Sequence, residues 1–205
     1  RHGVEPAGRG ERLAGREVSE GAHVTIMGAA PLDPPMPAAW TAEEYVAWSA
    51  RLAGASAREA RELAQTALGR VELLHARKRA TSALPSPERR ALVLAQAIVM
   101  SPEVLVAESP LDGLMGAAAA FVLRAIAAAS SGRLALLSAS RLDPGSAEGT
   151  LARSATALIV LAGGAIALEG TPAELFSGAT IVSLTVPRNV EALRAELEAR
   201  GIPLR

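Results

Sequence analysis

The polar side chains best suited to chemistry stand where apolar runs of the sequence end. Glu108 and Ser109 follow the run at residues 103–107, and Ser140 follows the run at residues 133–138. A carboxylate in such a place can orient a metal ion or accept a proton, and a serine can act as a nucleophile or close a turn. We interpret the two serines as turn residues rather than as nucleophiles.

A second polar group, Ser86 with Glu88, lies in the motif LPSPERR. Ser86 can offer one hydroxyl to a phosphate, but Pro85 and Pro87 remove two backbone donors and stiffen the loop. The sequence contains no GxxxxGK[ST] loop, whose amides and lysine cradle nucleotide phosphates. The residues themselves therefore predict no phosphate loop, and no metal site is predicted.

Three of the five aromatic residues, Trp40, Tyr45 and Trp48, fall around one predicted helix start. Tyr45 and Trp48 are three positions apart and so share a helix face. Two interpretations stay open. The three side chains either pack into the core of the protein or line a groove on which a protein partner docks.

The composition restricts the function further. With 205 residues, of which 50% are hydrophobic, the chain can build one sizeable core with a small subdomain attached. The 21 basic and 21 acidic residues cancel, so the chain lacks the strong positive field that attracts nucleic acid. No run reaches the ~20 apolar residues of a membrane span, and the start of the chain has no apolar signal region. The chain contains no cysteine, which excludes disulfides, thiolate metal sites and cysteine nucleophiles and makes a cytosolic chain the simplest interpretation.

The elements that would position these residues alternate between strands and helices. Capping signals at Thr41 and Ser56 predict helices to about Leu52 and Leu68, and a third helical pattern follows Pro87. A proline-rich stretch precedes Thr41 and predicts a loop. Further strands are predicted at residues 23–27 and 181–186, and two more at 157–161 and 165–168 flank a hairpin turn at Gly163-Gly164. Buried strands are predicted at residues 103–107 and 133–138. The remaining predictions are helices at 115–129, 172–176 and 189–200 and a loop at 28–39.

Five pieces of the sequence form an ordered set. They are LPSPERR at 84–90, LAQA at 94–97, PEVLV at 102–106, PLDGL at 110–114 and EGTP at 169–172. In this order and spacing they resemble the signature loop, following helix, Walker B strand, D-loop and closing segment of an ABC transporter ATP-binding cassette of the bacterial exporter type. The resemblance covers roughly residues 10–176.

This resemblance implies an α/β fold, in which a P-loop-NTPase-like sheet is flanked by helices. A helical subdomain would occupy about residues 41–100. The cassette would cover residues 1–178, and a small strand-helix extension would occupy residues 179–205. We expect the phosphate loop of the family to lie upstream of Arg1, which would make this chain shorter than its relatives.

The same resemblance implies a degenerate site. A nucleotide site built on Ser86, Glu88 and Glu108 would bind ATP and magnesium only weakly, and no other cofactor is expected. Glu108 and Ser109 occupy the positions of the family's metal-orienting aspartate and of the glutamate that polarises the attacking water. Ser140 occupies the position of the switch histidine, and Met115 that of the D-loop aspartate. Loss of a general base costs about two to four orders of magnitude in rate, so we expect a pseudo-ATPase.

We therefore predict a non-catalytic structural or regulatory cassette subunit, held at the inner face of the cell membrane by a permease or by a second cassette. Trp40, Tyr45 and Trp48 would dock the permease, because the family's corresponding segment faces it. One alternative is the ATP-binding half of an asymmetric pair that drives export, and another is a stable remnant without a transport role. The helix at residues 189–200 would bind a second copy or pack on its own domain.

Overall fold

The computed structural model describes residues 12–13, 16–17, 27–176 and 190–199. The chain divides into two compact units, Arg1–Ala155 and Thr156–Arg205. The predicted boundary at residues 178–179 lies outside the described residues and stays a prediction. No helix in the described part of the chain is long and apolar enough to cross a membrane.

The first two helices begin where their capping signals predict. Thr41 caps α1 (Ala42–Leu52), and Ser56 caps α2 (Ala57–Arg70). In both, the cap hydroxyl accepts a hydrogen bond from the third helical amide, and the glutamate at that position bonds back to the cap amide. The apolar faces of the two helices pack on each other and on α3 (Ser86–Ile98).

The central sheet of the first unit consists of three parallel strands, β3 (Met27–Ala30), β4 (Val104–Ala107) and β5 (Leu134–Leu137), which lie in that order. Helix α3 precedes β4, α4 (Gly116–Ser130) connects β4 to β5, and α5 (Ala147–Arg153) follows β5. Parallel strands joined by helical crossovers are typical of an α/β fold.

The predicted loop at residues 28–39 is wrong at its beginning. Gly28, Ala29 and Ala30 continue β3 and pair with Leu105, Val106 and Ala107 of β4. Glycine and alanine carry little strand propensity, so packing decides the conformation here. A Cβ at Gly28 would overlap the backbone carbonyl of Ala97, and only glycine lets α3 approach β3 this closely.

The predicted burial of the β5 strand is also wrong for one of its faces. Ala135 and Leu137 pack against the core, whereas Leu134 and Leu136 are 65% and 63% exposed. Side chains alternate along a strand, so only one face of β5 meets the hydrophobic core formed with α3 and α4. Val104 of β4 pairs with Met27 on one side and with Leu134 on the other, so these side chains share one face of the sheet. On this face Met27 is half exposed.

The second unit contains an antiparallel hairpin, β6 (Leu158–Ala162) and β7 (Ala165–Gly170). The predicted Gly163-Gly164 turn is confirmed, and both glycines have positive φ, at 58° and 79°. Two helices follow, α6 (Pro172–Phe176) and α7 (Val190–Ala199). The predicted strand at residues 181–186 lies outside the described residues.

In the first unit, β1 (Arg12–Leu13) and β2 (Arg16–Glu17) form a short antiparallel pair.

Candidate functional site

Three strand ends meet at the carboxyl edge of the central sheet. The amide of Glu108, just beyond β4, donates to the carbonyl of Ala30 at 2.9 Å. The amide of Ser138, just beyond β5, donates to the carbonyl of Ala107 at 3.0 Å. Open α/β sheets bind their ligands at the carboxyl ends of their strands, so this edge is the candidate site.

Glu108, Ser109 and Ser140 all lie at this edge, on neighbouring segments. The carboxylate of Glu108 is exposed and accepts a long hydrogen bond, 3.4 Å, from the amide of Leu32. Ser109 has a left-handed backbone, with φ at 42°, and its amide donates to the Ser138 hydroxyl at 3.1 Å. The left-handed backbone of Ser109 begins the turn after β4, which agrees with our interpretation of Ser109 as a turn residue.

Ser140 contacts a residue that the sequence does not place beside it. Its hydroxyl donates to Oδ1 of Asp112 at 3.4 Å, and the Asp112 amide donates to the carbonyl of Ser109 at 3.0 Å. The edge therefore presents exposed carboxylates and serine hydroxyls. His75, the one histidine among the described residues, lies instead near Glu88, so it supplies no base for these serines.

Ser86 and Glu88 lie at the start of α3, where other groups surround them. The carboxylate of Glu88 accepts from Nη1 of Arg79 at 2.8 Å and lies 3.6 Å from Nε2 of His75. Pro85 is the N-cap and makes no side-chain capping bond. Glu88 thus binds the basic segment before α3. Glu108 accepts a hydrogen bond from the amide of Leu32 instead, so the two carboxylates have different partners.

The aromatic trio divides between surface and core. The rings of Trp40 and Trp48 stand edge to face, with centroids 5.6 Å apart, and both line a surface cavity of about 280 Å³, the tryptophan cavity. Trp48 is 51% exposed. Tyr45 is half-buried against the core, and this burial raises the pKa of its hydroxyl. Each of the two interpretations of the trio therefore fits different members.

Glu43 also lines the tryptophan cavity and is not among the site residues predicted from the sequence. Glu43 is only 3% exposed, yet its carboxylate lies close to three cations. Its oxygens are 3.6 Å from Nε of Arg61 and of Arg77 and 3.2 Å from Nζ of Lys78. A buried carboxylate at a helix start is stabilised by such partners and by the helix dipole. The basic run HARKR at residues 75–79 was the one sequence signal for it.

A second cavity, of about 200 Å³, lies between the loop after β3 and helix α3, and we name it the Arg90 cavity. Leu32, Asp33, Met36, Arg89 and Arg90 are among its lining residues. The guanidinium of Arg90 is buried and its Nη1 donates to Oδ1 of Asp33 at 2.8 Å. These two residues are 57 positions apart, so nothing in the sequence indicates their contact.

Comparison with solved structures identifies the fold. The protein cbiO1 from Clostridium perfringens, part of the ABC transporter complex cbiONQ, has a TM-score of 0.61 and 19% identity, over 84% of this chain and 63% of that one. A protein described as a metal-chelate type ABC transporter, in an inward-facing conformation, has a TM-score of 0.60 and 19% identity, over 71% and 58%. An ATP-binding cassette of an ABC transporter in its ADP conformation has a TM-score of 0.59 and 18% identity, over 74% and 62%.

These similarities confirm the predicted α/β cassette fold. The matched region spans less than two thirds of each of these three chains. No protein-family model matches the sequence, and a search of curated proteins finds no match.

Proposed function

We propose that this chain is a cassette subunit of an ABC transporter assembly that does not hydrolyse ATP by itself. It acts as a structural or regulatory partner of a permease or of a catalytically competent cassette, at the cytoplasmic face of the membrane. The observation that carries the proposal is Ser109 at the carboxyl edge of a cassette-type sheet, in the position that would need a general base.

The contacts of this edge support the loss of catalysis. A serine hydroxyl cannot accept a proton from the attacking water near neutral pH. The Ser109 amide, for its part, already donates a hydrogen bond to the Ser138 hydroxyl. Ser140, in the position of the switch histidine, bonds to Asp112 and cannot supply the positive charge of a protonated imidazole. Glu108 keeps a carboxylate near a metal position, so weak magnesium-nucleotide binding fits the proposal while turnover does not.

The tryptophan cavity supports the second half of the proposal, the protein partner. Half-exposed tryptophans in a surface cavity are the side chains that most often anchor protein interfaces. A similar protein, cbiO1, is described as part of a transporter complex, and we carry that role to this chain as a proposal. Trp40 and Trp48 would contact the partner, whereas Tyr45 packs against the core.

Titration calorimetry with magnesium and ATP or ADP tests the proposal. The chain alone, then the chain mixed with candidate permease and cassette subunits, should be titrated beside a competent cassette as positive control. We expect no turnover by the chain alone and binding weaker than about 100 µM, which corresponds to roughly −5.5 kcal/mol. Tighter binding with turnover would overturn the proposal, and binding in the mixture alone would favour the asymmetric ATP-binding pair.

A further inference from the structure

The Arg90 cavity carries an excess of positive charge. Arg89 and Arg90 line it together with a single carboxylate, that of Asp33. The hydroxyls of Thr81 and Ser82, also in the lining, already donate their hydrogens to backbone carbonyls at 2.7 Å and 2.8 Å. The guanidinium groups are therefore the donors that the cavity can offer to an incoming group.

Arg90 has donors to spare. It is 9% exposed and holds five N–H donors, of which one reaches Asp33. Its Nε is buried and has no acceptor among the described residues. A buried guanidinium with few acceptors is costly, so a carboxylate that accepts from more of these donors than Asp33 does would stabilise it. The Asp33 side chain is 75% exposed and can return to water when a better-placed acceptor arrives.

The size and the apolar lining of the cavity restrict the occupant. Leu32, Met36 and Val93 supply apolar walls beside the two guanidiniums. A volume of about 200 Å³ falls below the roughly 300 to 1,000 Å³ typical of small-molecule pockets. One acidic side chain with an apolar neighbour fits this space, whereas a nucleotide does not.

The Arg90 cavity adjoins the tryptophan cavity through a shared backbone segment. Ala38 lines the Arg90 cavity and Trp40 lines the tryptophan cavity. The amide of Thr81 donates to the Trp40 carbonyl at 2.8 Å and locks this segment to the turn before α3. A partner segment that contacts Trp40 therefore meets the same backbone segment that lines the Arg90 cavity.

We infer that the Arg90 cavity receives an acidic side chain, flanked by an apolar one, from the protein partner. Its carboxylate binds Arg90 and Arg89 and displaces Asp33, which holds the site when the partner is absent. The inference rests on the proposed function in one respect, since it takes the occupant to be a segment of that partner.

The four methionines of the chain allow a direct test on the whole protein. With ¹³C-methyl methionine labelling, Met36 reports the cavity, and Met115, which is 85% exposed, is an internal control. The probe is acetyl-Leu-Glu-Leu-amide, compared with the same peptide carrying glutamine and with inorganic phosphate. We expect the glutamate peptide to shift the Met36 signal saturably and to leave Met115 unchanged.

The glutamine peptide should bind at least about tenfold more weakly, as expected when a charge-assisted hydrogen bond becomes neutral. An equal shift with glutamine, no shift with either peptide, or an equal effect of inorganic phosphate would each overturn the inference. The last result would indicate a general anion site instead of a site for an acidic segment.

Variants of the cavity sharpen the test. Asp33→Asn removes the resident carboxylate and should tighten glutamate-peptide binding about two- to fivefold, in keeping with the strength of an exposed ion pair. Arg90→Lys should abolish the Met36 shift, because lysine lacks the guanidinium fork. If Arg90→Lys fails to fold, Asp33→Asn decides the matter, since unchanged or weaker binding there contradicts displacement.

The outcome separates from that of the proposed function. The peptide titration requires neither nucleotide nor transporter, so a negative result leaves the cassette role standing. Conversely, ATP turnover by the chain alone would overturn the proposed non-catalytic role, while a positive titration would still show an acidic-side-chain site at Arg90.

Discussion

At the residue scale, Thr41 and Glu44 form a small charged cap whose strength depends on pH. The Glu44 carboxylate accepts from the Thr41 amide at 2.7 Å and from its hydroxyl at 2.8 Å. These bonds, the backbone one first, lower the pKa of Glu44 below its ordinary value of 4.5. Because the folded-state pKa is the lower one, the stabilisation is present above about pH 4.5 and is lost as the pH falls through the folded-state value.

Glu44→Gln should therefore lower the Tm at pH 7, because a neutral amide makes weaker hydrogen bonds at the cap than a carboxylate does. The difference from the parent protein should shrink as the pH falls toward 3, where the parent's Glu44 is itself protonated. Thermal unfolding followed by circular dichroism across this range measures it. A constant difference at all pH values would show that the charge of Glu44 does not act at the cap.

Trp48 allows a second residue-scale prediction, for partner binding. Trp48→Ala should weaken binding of the permease or cassette partner by about 2 kcal/mol or more, as for other buried tryptophan anchors. Leu161→Ala is the control, because Leu161 lies in the second unit, is 71% exposed and does not line the tryptophan cavity. Pull-down titrations with the purified partner compare the two. Equal losses in both variants would contradict docking through the tryptophan cavity.

At the element scale, the packing of α3 on β3 depends on Gly28. A Cβ there would overlap the carbonyl of Ala97, so Gly28→Ala should destabilise the first unit by about 3 kcal/mol or more. Gly69, in α2, has nothing within 4 Å of an added Cβ, and Gly69→Ala should stabilise the helix by roughly 0.5 to 1 kcal/mol. Chemical unfolding of the two variants tests the pair. Similar effects of the same sign would contradict this packing.

The elements that sequence predicts best are those with local signals. The capping boxes at Thr41 and Ser56 start α1 and α2 at the predicted residues, because both partners of each cap lie within one helical turn. The hairpin at Gly163 follows for a similar reason, since positive φ favours glycine. Gly28 carries no such local signal, and its strand conformation depends on Ala97, 69 positions away.

The residues of the candidate site also fall into those that local sequence signals predict and those that depend on distant contacts. The sequence pattern places Glu108 and Ser109 directly after β4, because apolar runs end where strands end. The contacts of Ser140 with Asp112 and of Arg90 with Asp33 join residues 28 and 57 positions apart. Such contacts arise from the tertiary arrangement of the loops, and no periodicity or capping rule indicates them.

At the scale of the whole molecule, one face of the central sheet bears exposed apolar side chains while the formal net charge is zero. Leu134 and Leu136 of β5 and Met27 of β3 form this open sheet face. Exposed apolar surface favours association, and a chain without net charge has little repulsion to oppose it. We therefore expect the purified chain to self-associate as its concentration rises.

Leu134→Lys should reduce this self-association, because it places a charge in the open sheet face and an edge lysine blocks further pairing. Leu52→Lys adds the same charge at a leucine of comparable exposure outside the central sheet, 70% against 65%, and controls for the change in net charge. Sedimentation velocity at two protein concentrations, with the Tm of each variant as a check on folding, compares them. If the two variants reduce association equally, net charge controls it. If Leu134→Lys reduces it much more, the open sheet face is the surface through which the chains associate.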